Sequence, residues 1–172
     1  MSDVFSPHLQ GDRLYIRLGM DDRQQMERCE RRWIEEPVFY ISTCTKDRRA
    51  VLNTETAVNL LVEEWALARK QHGWSVGRYL VMPERVQFFC AADISARPLS
   101  QWLQIWKEWT SKRMVRELGF QSPIWEIEIS KSLLHSSEAY SQKLRSVLDD
   151  PVQANLVADS EDWPWRGEIE HF

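Results

Sequence analysis

The stretch Tyr79-Leu-Val-Met-Pro-Glu-Arg-Val-Gln-Phe-Phe-Cys-Ala91 limits the fold of this chain more than any other. Two apolar runs meet at a Met82-Pro83-Glu84 corner. Before the corner, Tyr79 to Met82 reads as strand. After it, Val86, Phe88 and Cys90 alternate with Arg85, Gln87 and Phe89, the period of two that sends neighbours to opposite faces of a sheet. Pro83 lacks a donor for a strand ladder and holds Met82 extended, so it suits a corner and not a strand interior. Arg85 and Gln87 therefore project from one face, one residue apart, in the middle of a sheet.

The remaining pattern supplies the partners of these strands. Val38-Phe-Tyr-Ile-Ser-Thr-Cys-Thr45 is dense in β-branched and aromatic residues and reads as a first core strand, closed by the charged turn Lys46 to Arg49. Thr54 caps a helix whose apolar positions Val58, Leu61, Val62, Trp65 and Leu67 or Ala68 recur at helical spacing, and His72-Gly73 stops it. Trp74 to Met82 and Val86 to Ala91 form strands two and three. Ser100 to Leu118 is a further helix with Gly119 as its stop, and Ile124 to Ile129 alternates as strand four, with Glu126 and Glu128 outward. This β-α-β-β-α-β order is the ferredoxin-like arrangement, an α+β fold with a four-stranded antiparallel sheet. A helix entered at Ser136 or Ser137 extends it at the C-terminal end. Another, capped by Asp21 or Asp22 and ended by Pro37, extends it at the N-terminal end, after a short strand at Leu14 to Leu18.

The chain has 172 residues, which suits one domain with its core over about residues 38–165 and residues 1–36 as an N-terminal extension. With 43% hydrophobic and 28% charged residues and no long apolar run, it is expected to be cytoplasmic with no membrane partner. Cys29, Cys44 and Cys90 are odd in number and widely spaced, which argues for free thiols over disulfides or zinc. A formal net charge of −4 runs against the basic balance of a typical nucleic-acid binder. Two segments are locally basic: Arg23, Arg28, Arg31, Arg32, and Lys107, Lys112, Arg113, Arg116. Each is interleaved with Glu, as on a solvated helix face. Trp102, Trp106 and Trp109 share a helix face; they read first as core packing with Leu103, Ile105 and Val115, and second as a platform for stacking bases.

The Met-Pro corner resembles that of the REP-associated tyrosine transposases and the wider single-tyrosine HUH transposases, where His-hydrophobic-His follows it. The resemblance extends in order through Trp125, a helix, Asp150-Pro-Val-Gln-Ala-Asn-Leu-Val157 and Trp163-Pro-Trp165, covering about residues 38–165. It implies a nuclease chemistry in which paired imidazoles hold Mg²⁺ or Mn²⁺ and a tyrosine attacks a DNA phosphodiester. Here Arg85 and Gln87 stand at the imidazole positions. A guanidinium has no lone pair to give and an amide is a weak ligand, so no metal cofactor is expected. Counting back from Pro151 puts Ser146 at the tyrosine position. Tyr140 lies six residues earlier, about 600° of helix rotation, and so on a different side of the axis. Asp150 stands for the Asn before the family's proline and Asn155 for its glycine.

No intact catalytic set follows from these residues; Arg85, Gln87 and Ser146 are vestigial positions. Two functions are in play. One is an inactive transposase-like protein that binds single-stranded or hairpin DNA through Arg85, Lys107, Lys112, Arg113 and Arg116. The other is a module that binds a protein partner or a second copy of itself. For Arg85 the choice is between a bidentate phosphate contact and a pairing with Glu126 or Glu128 that fills the vacated site.

Overall fold

The computed structural model describes residues 37–171. Chain order is β1 (Val38–Cys44), α1 (Glu55–His72), β2 (Trp74–Met82), β3 (Arg85–Ala92), α2 (Leu99–Leu118), β4 (Ser130–Leu134), α3 (Ser137–Gln153) and β5 (Arg166–Glu168). The strands form one sheet in the order β4-β1-β3-β2-β5, and every neighbouring pair is antiparallel. The N-terminal helix, the strand at Leu14 to Leu18 and the basic segment from Arg23 to Arg32 lie outside the described residues.

Local signals explain most of these elements. Met82 pairs with Arg85, leaving Pro83 and Glu84 as a two-residue turn. That turn is tied down from outside: the Pro83 carbonyl accepts from the Val51 and Leu52 amides, and the Glu84 carbonyl from the Thr45 amide. The Thr54 hydroxyl caps α1 by accepting from the Ala57 amide at 3.3 Å. Gly73 ends α1 at φ 75°, where a Cβ would come within 2.7 Å of the Ala96 Cα, so only glycine suits both the conformation and the space. Gly119 ends α2 in the same left-handed conformation.

The alternation along β3 divides the interior into two layers. Val86, Phe88 and Cys90 face α1 and α2. There Trp65 stacks on Trp106 at 6.0 Å and Trp74 on Trp102 at 5.2 Å, with Phe88 5.1 Å from Trp65. A buried indole removes about 150–250 Å² from water, worth about 4–6 kcal/mol at about 25 cal/mol/Å², so these rings dominate the layer. Trp102 and Trp106 are core, as expected. Trp109 is half-exposed at the rim and Val115 lies outside the core, so the buried stripe of α2 is narrower than its sequence suggests. On the other side, Phe89 and Ala91 meet Tyr40, Val147 of α3 and Trp163.

Two expectations are corrected. The sheet has five strands, not four, because the C-terminal segment adds to the β2 edge. Trp163 Nε1 donates to the Val81 carbonyl at 3.0 Å and the Val81 amide donates to the Trp165 carbonyl at 2.8 Å, which aligns Arg166 to Glu168 for pairing. The fourth strand, placed by alternation at Ile124 to Ile129, is instead β4 at Ser130–Leu134. Ile124 and Trp125 are buried together, Trp125 Nε1 donates to the Thr110 hydroxyl at 2.9 Å, and Ile127 is 97% exposed. Past the bridge at Trp125, the carbonyls of residues 126–128 are taken by side chains. Lys107 Nζ donates to those of Glu126, Ile127 and Glu128, and the Thr43 hydroxyl donates to that of Glu128 at 3.2 Å. Pairing at this end is confined to one antiparallel bridge, Trp125 opposite Thr45, with the Glu126 amide donating to the Cys44 carbonyl at 2.9 Å; the continuous ladder with β1 runs from Ser130 opposite Ser42 to Leu134 opposite Val38.

Candidate nucleic-acid interface

Arg85, at the start of β3, faces α3 across the sheet, and Gln87 follows it on the same face. The last turns of α3 supply their partner. Asp150 Oδ2 accepts from Arg85 Nη2 at 3.0 Å and from Gln87 Nε2 at 2.7 Å. Gln87 Oε1 in turn accepts from the Tyr40 hydroxyl. The four side chains make one chain of donors and acceptors, Tyr40 to Gln87 to Asp150 to Arg85, that bridges β1, β3 and α3. Gln87 is only 2% exposed, so an unpaired amide there would be costly and the network is what admits it. Burial pushes the Tyr40 phenol above its ordinary range, which keeps it a neutral donor. Of the two expectations for Arg85, the one that gave it a carboxylate partner named Glu126 or Glu128. Instead, Glu126 caps the Asp47 amide at 2.9 Å and lies near Lys46, while Arg85 takes Asp150.

A divalent cation would need lone pairs from Arg85 and Gln87. A guanidinium offers no lone pair, and both polar atoms of Gln87 are engaged, its oxygen by Tyr40 and its nitrogen by Asp150. The residues do not fit a divalent cation. Among the described residues, no group of three or more His, Cys, Asp or Glu stands close enough together to hold one.

Beside the network lies a groove of about 760 Å³, lined by Tyr40, Ser42, Arg48, Arg85, Glu126, Glu128 and Lys143 among others. Lys143 Nζ sits 4.6 Å above the Tyr40 ring, a cation–π contact that holds the ammonium at the groove wall. The three basic side chains are matched by Glu126, Glu128 and the adjoining Asp150, so the groove is mixed in sign.

The other basic candidates are elsewhere. Lys112, Arg113 and Arg116 lie on α2, which covers the opposite face of the sheet from Arg85. All three are paired with carboxylates: Lys112 with Glu108 at 2.6 Å, Arg113 with Glu63, Glu64 and Glu117 at 2.8–2.9 Å, and Arg116 with Glu117 at 2.6 Å. The hydrogen bonds from Arg113 and Arg116 hold the Glu117 carboxyl down to about 2. Lys107 is spent on the backbone of residues 126–128, and burial lowers its pKa from the ordinary lysine value. Of the five candidate basic residues, only Arg85 borders the groove.

On α3, Ser146 is exposed one turn before Asp150, and Tyr140 is half-buried with its ring 4.9 Å from that of Phe89. Tyr140 packs on the sheet side of α3, with Phe89 and the cluster around Tyr40 and Val147. The helix runs through Pro151 and closes on Asn155 at φ 56°, with the Asn155 amide donating to the Val152 carbonyl and the Leu156 amide to that of Pro151. This pair of bonds around a left-handed residue is a Schellman ending, and it holds the last turn that carries Asp150.

Tyr40, Arg48 and Lys143 were missed in the sequence. Two of them carried a signal: Tyr40 shares strand parity with Ser42 and Val38, and Lys143, Val147 and Asp150 recur at i, i+4 and i+7, the spacing of one helix face.

In fold, the chain is similar to a REP-associated tyrosine transposase solved bound to a REP hairpin, with 16% identity, 79% of this chain and 88% of that one covered, and a TM-score of 0.64. It is also similar to a candidate transposase from Deinococcus radiodurans R1, with 16% identity, 65% and 88% covered, and a TM-score of 0.50. No protein-family model and no curated protein matches the chain. At this identity the likeness shows a shared transposase-like fold.

Proposed function

We propose that this chain is a single-domain, cytoplasmic, transposase-derived protein that binds hairpin or single-stranded DNA without cutting it. The reading takes β1 to β4 with α1 and α2 as a ferredoxin-like core, and the face of β3 beneath α3 as the surface that meets nucleic acid. One observation carries it: the two positions that should hold a metal are an arginine and a glutamine, joined by Tyr40 and Asp150 into a closed polar network. Metal-assisted attack on a phosphodiester has no ligands there, and the exposed Ser146 on α3 replaces the nucleophile. A positive charge remains at the site, with Arg48 and Lys143 on the same groove. The REP hairpin bound by the similar transposase supports DNA of that shape as the partner.

A second reading, a protein or self-association surface, is favoured by Lys112, Arg113 and Arg116 of α2, each of which is paired with a carboxylate. Binding of hairpin and single-stranded DNA across a salt series separates the two. Phosphate contacts give a negative slope of log affinity against log salt, about −0.7 to −0.9 per contact. No binding at low salt turns the balance to the protein surface.

A further inference from the structure

We infer that the position of Asp150 Oδ2 is an anion seat for one phosphate oxygen, and that Asp150 is its built-in competitor. The inference rests on the DNA-binding reading and adds what controls affinity at that surface. A single oxygen there accepts from Arg85 Nη2 at 3.0 Å and from Gln87 Nε2 at 2.7 Å, the convergence of a charged and a neutral donor that recognises an oxyanion. The seat is built: Gln87 is 2% exposed and is fixed from behind by the Tyr40 hydroxyl, and both donors stand on the central strand of the sheet. It is also incompletely served. Asp150 engages Arg85 through Nη2 alone, and Arg85 Nε is buried with no acceptor. A phosphate group brings several oxygens where Asp150 places one at Arg85.

The competitor is the chain's own charge. Asp150 neutralises Arg85 in place, so a backbone phosphate gains this contact only by displacing a carboxylate that is held in the last turns of α3. The side chains of the pair are 29% and 20% exposed, which leaves the seat reachable from the groove lined by Arg85, Arg48 and Lys143. Removing the carboxylate frees one full positive charge where the groove is otherwise balanced in sign.

The test compares the full chain with Asp150→Ala, which empties the seat, and Asp150→Asn, which keeps an acceptor and the packing while removing the charge. Each is titrated with a DNA hairpin over a salt series and with inorganic phosphate, following the Arg85 Nε–H resonance. The Asp150→Ala protein is expected to bind the hairpin at least about tenfold more tightly than the parent, with a log-log salt slope steeper by about one phosphate contact. Asp150→Asn falls between them, and Arg85→Ala in the Asp150→Ala background removes the gain. Phosphate is expected to shift the Arg85 resonance in Asp150→Ala and not in the parent. Equal hairpin affinity of parent and Asp150→Ala overturns the competitor role while leaving DNA binding intact. A phosphate response in Asp150→Ala without hairpin binding by any form upholds the seat and overturns the DNA reading. No response to phosphate in Asp150→Ala or Asp150→Asn overturns the seat itself.

Discussion

The Arg85 guanidinium lies 3.0 Å from the Asp150 carboxylate, joining the first residue of β3 to the last turns of α3 across 65 residues of sequence. The contact ties α3 to the central strand of the sheet. Its two charges are partly withdrawn from water, so neither is well solvated without the other.

Arg85→Ala and Asp150→Ala are each expected to destabilise the fold by about 1.5–3 kcal/mol, the range for hydrogen bonds to charged groups. Because both remove the same contact, the double variant is expected to cost less than the two single costs added, by about 0.5–3 kcal/mol. Urea midpoints of the four proteins measure this. Additive losses mean that the pair is not coupled.

Lys107 holds the backbone of residues 126–128 in place of a strand ladder. Lys107→Met keeps most of the aliphatic stem and removes the donor, leaving carbonyls of the segment between Trp125 and β4 without it. The expected cost is roughly 1–3 kcal/mol, with faster amide exchange confined to that segment. Unchanged exchange there makes Lys107 a bystander.

Acid sensitivity is expected at the α1–α2 surface. The Glu117 carboxyl is held down to about 2 by Arg113 and Arg116, against an ordinary value of 4.5, and Lys112 lowers Glu108 in the same direction. A depressed carboxyl stabilises the folded state fully above its unfolded pKa and loses that contribution as pH falls through the folded one. Thermal midpoints are therefore expected to fall between about pH 4.5 and pH 2, and Glu117→Gln to flatten part of that slope. Both charges face water, so added salt is expected to shrink the effect.

The strands and helices that follow local rules were legible in the sequence. Pro83 marked the hairpin, Thr54 and Gly73 bounded α1, and the parity of β3 put Arg85 and Gln87 on one face. What failed was decided by contacts distant in sequence. Ile124 to Ile129 alternates like a strand, yet beyond a single bridge at Trp125, Lys107, nearly twenty residues earlier, takes the carbonyls of residues 126–128. Arg85 had nearer carboxylates on offer by strand order, but Glu126 is occupied at Asp47 and α3 delivers Asp150 instead. The basic residues of α2 looked like one surface with Arg85 because sequence does not say which side of the sheet a helix covers.

The most direct measurement incubates the full chain with a DNA hairpin and Mn²⁺, then resolves the mixture on native and on denaturing gels. The account predicts a shifted complex on the native gel that dissolves in detergent to give intact DNA, with no protein–DNA adduct. A detergent-resistant adduct or a nicked strand contradicts the loss of chemistry, and the absence of any complex at low salt contradicts DNA binding.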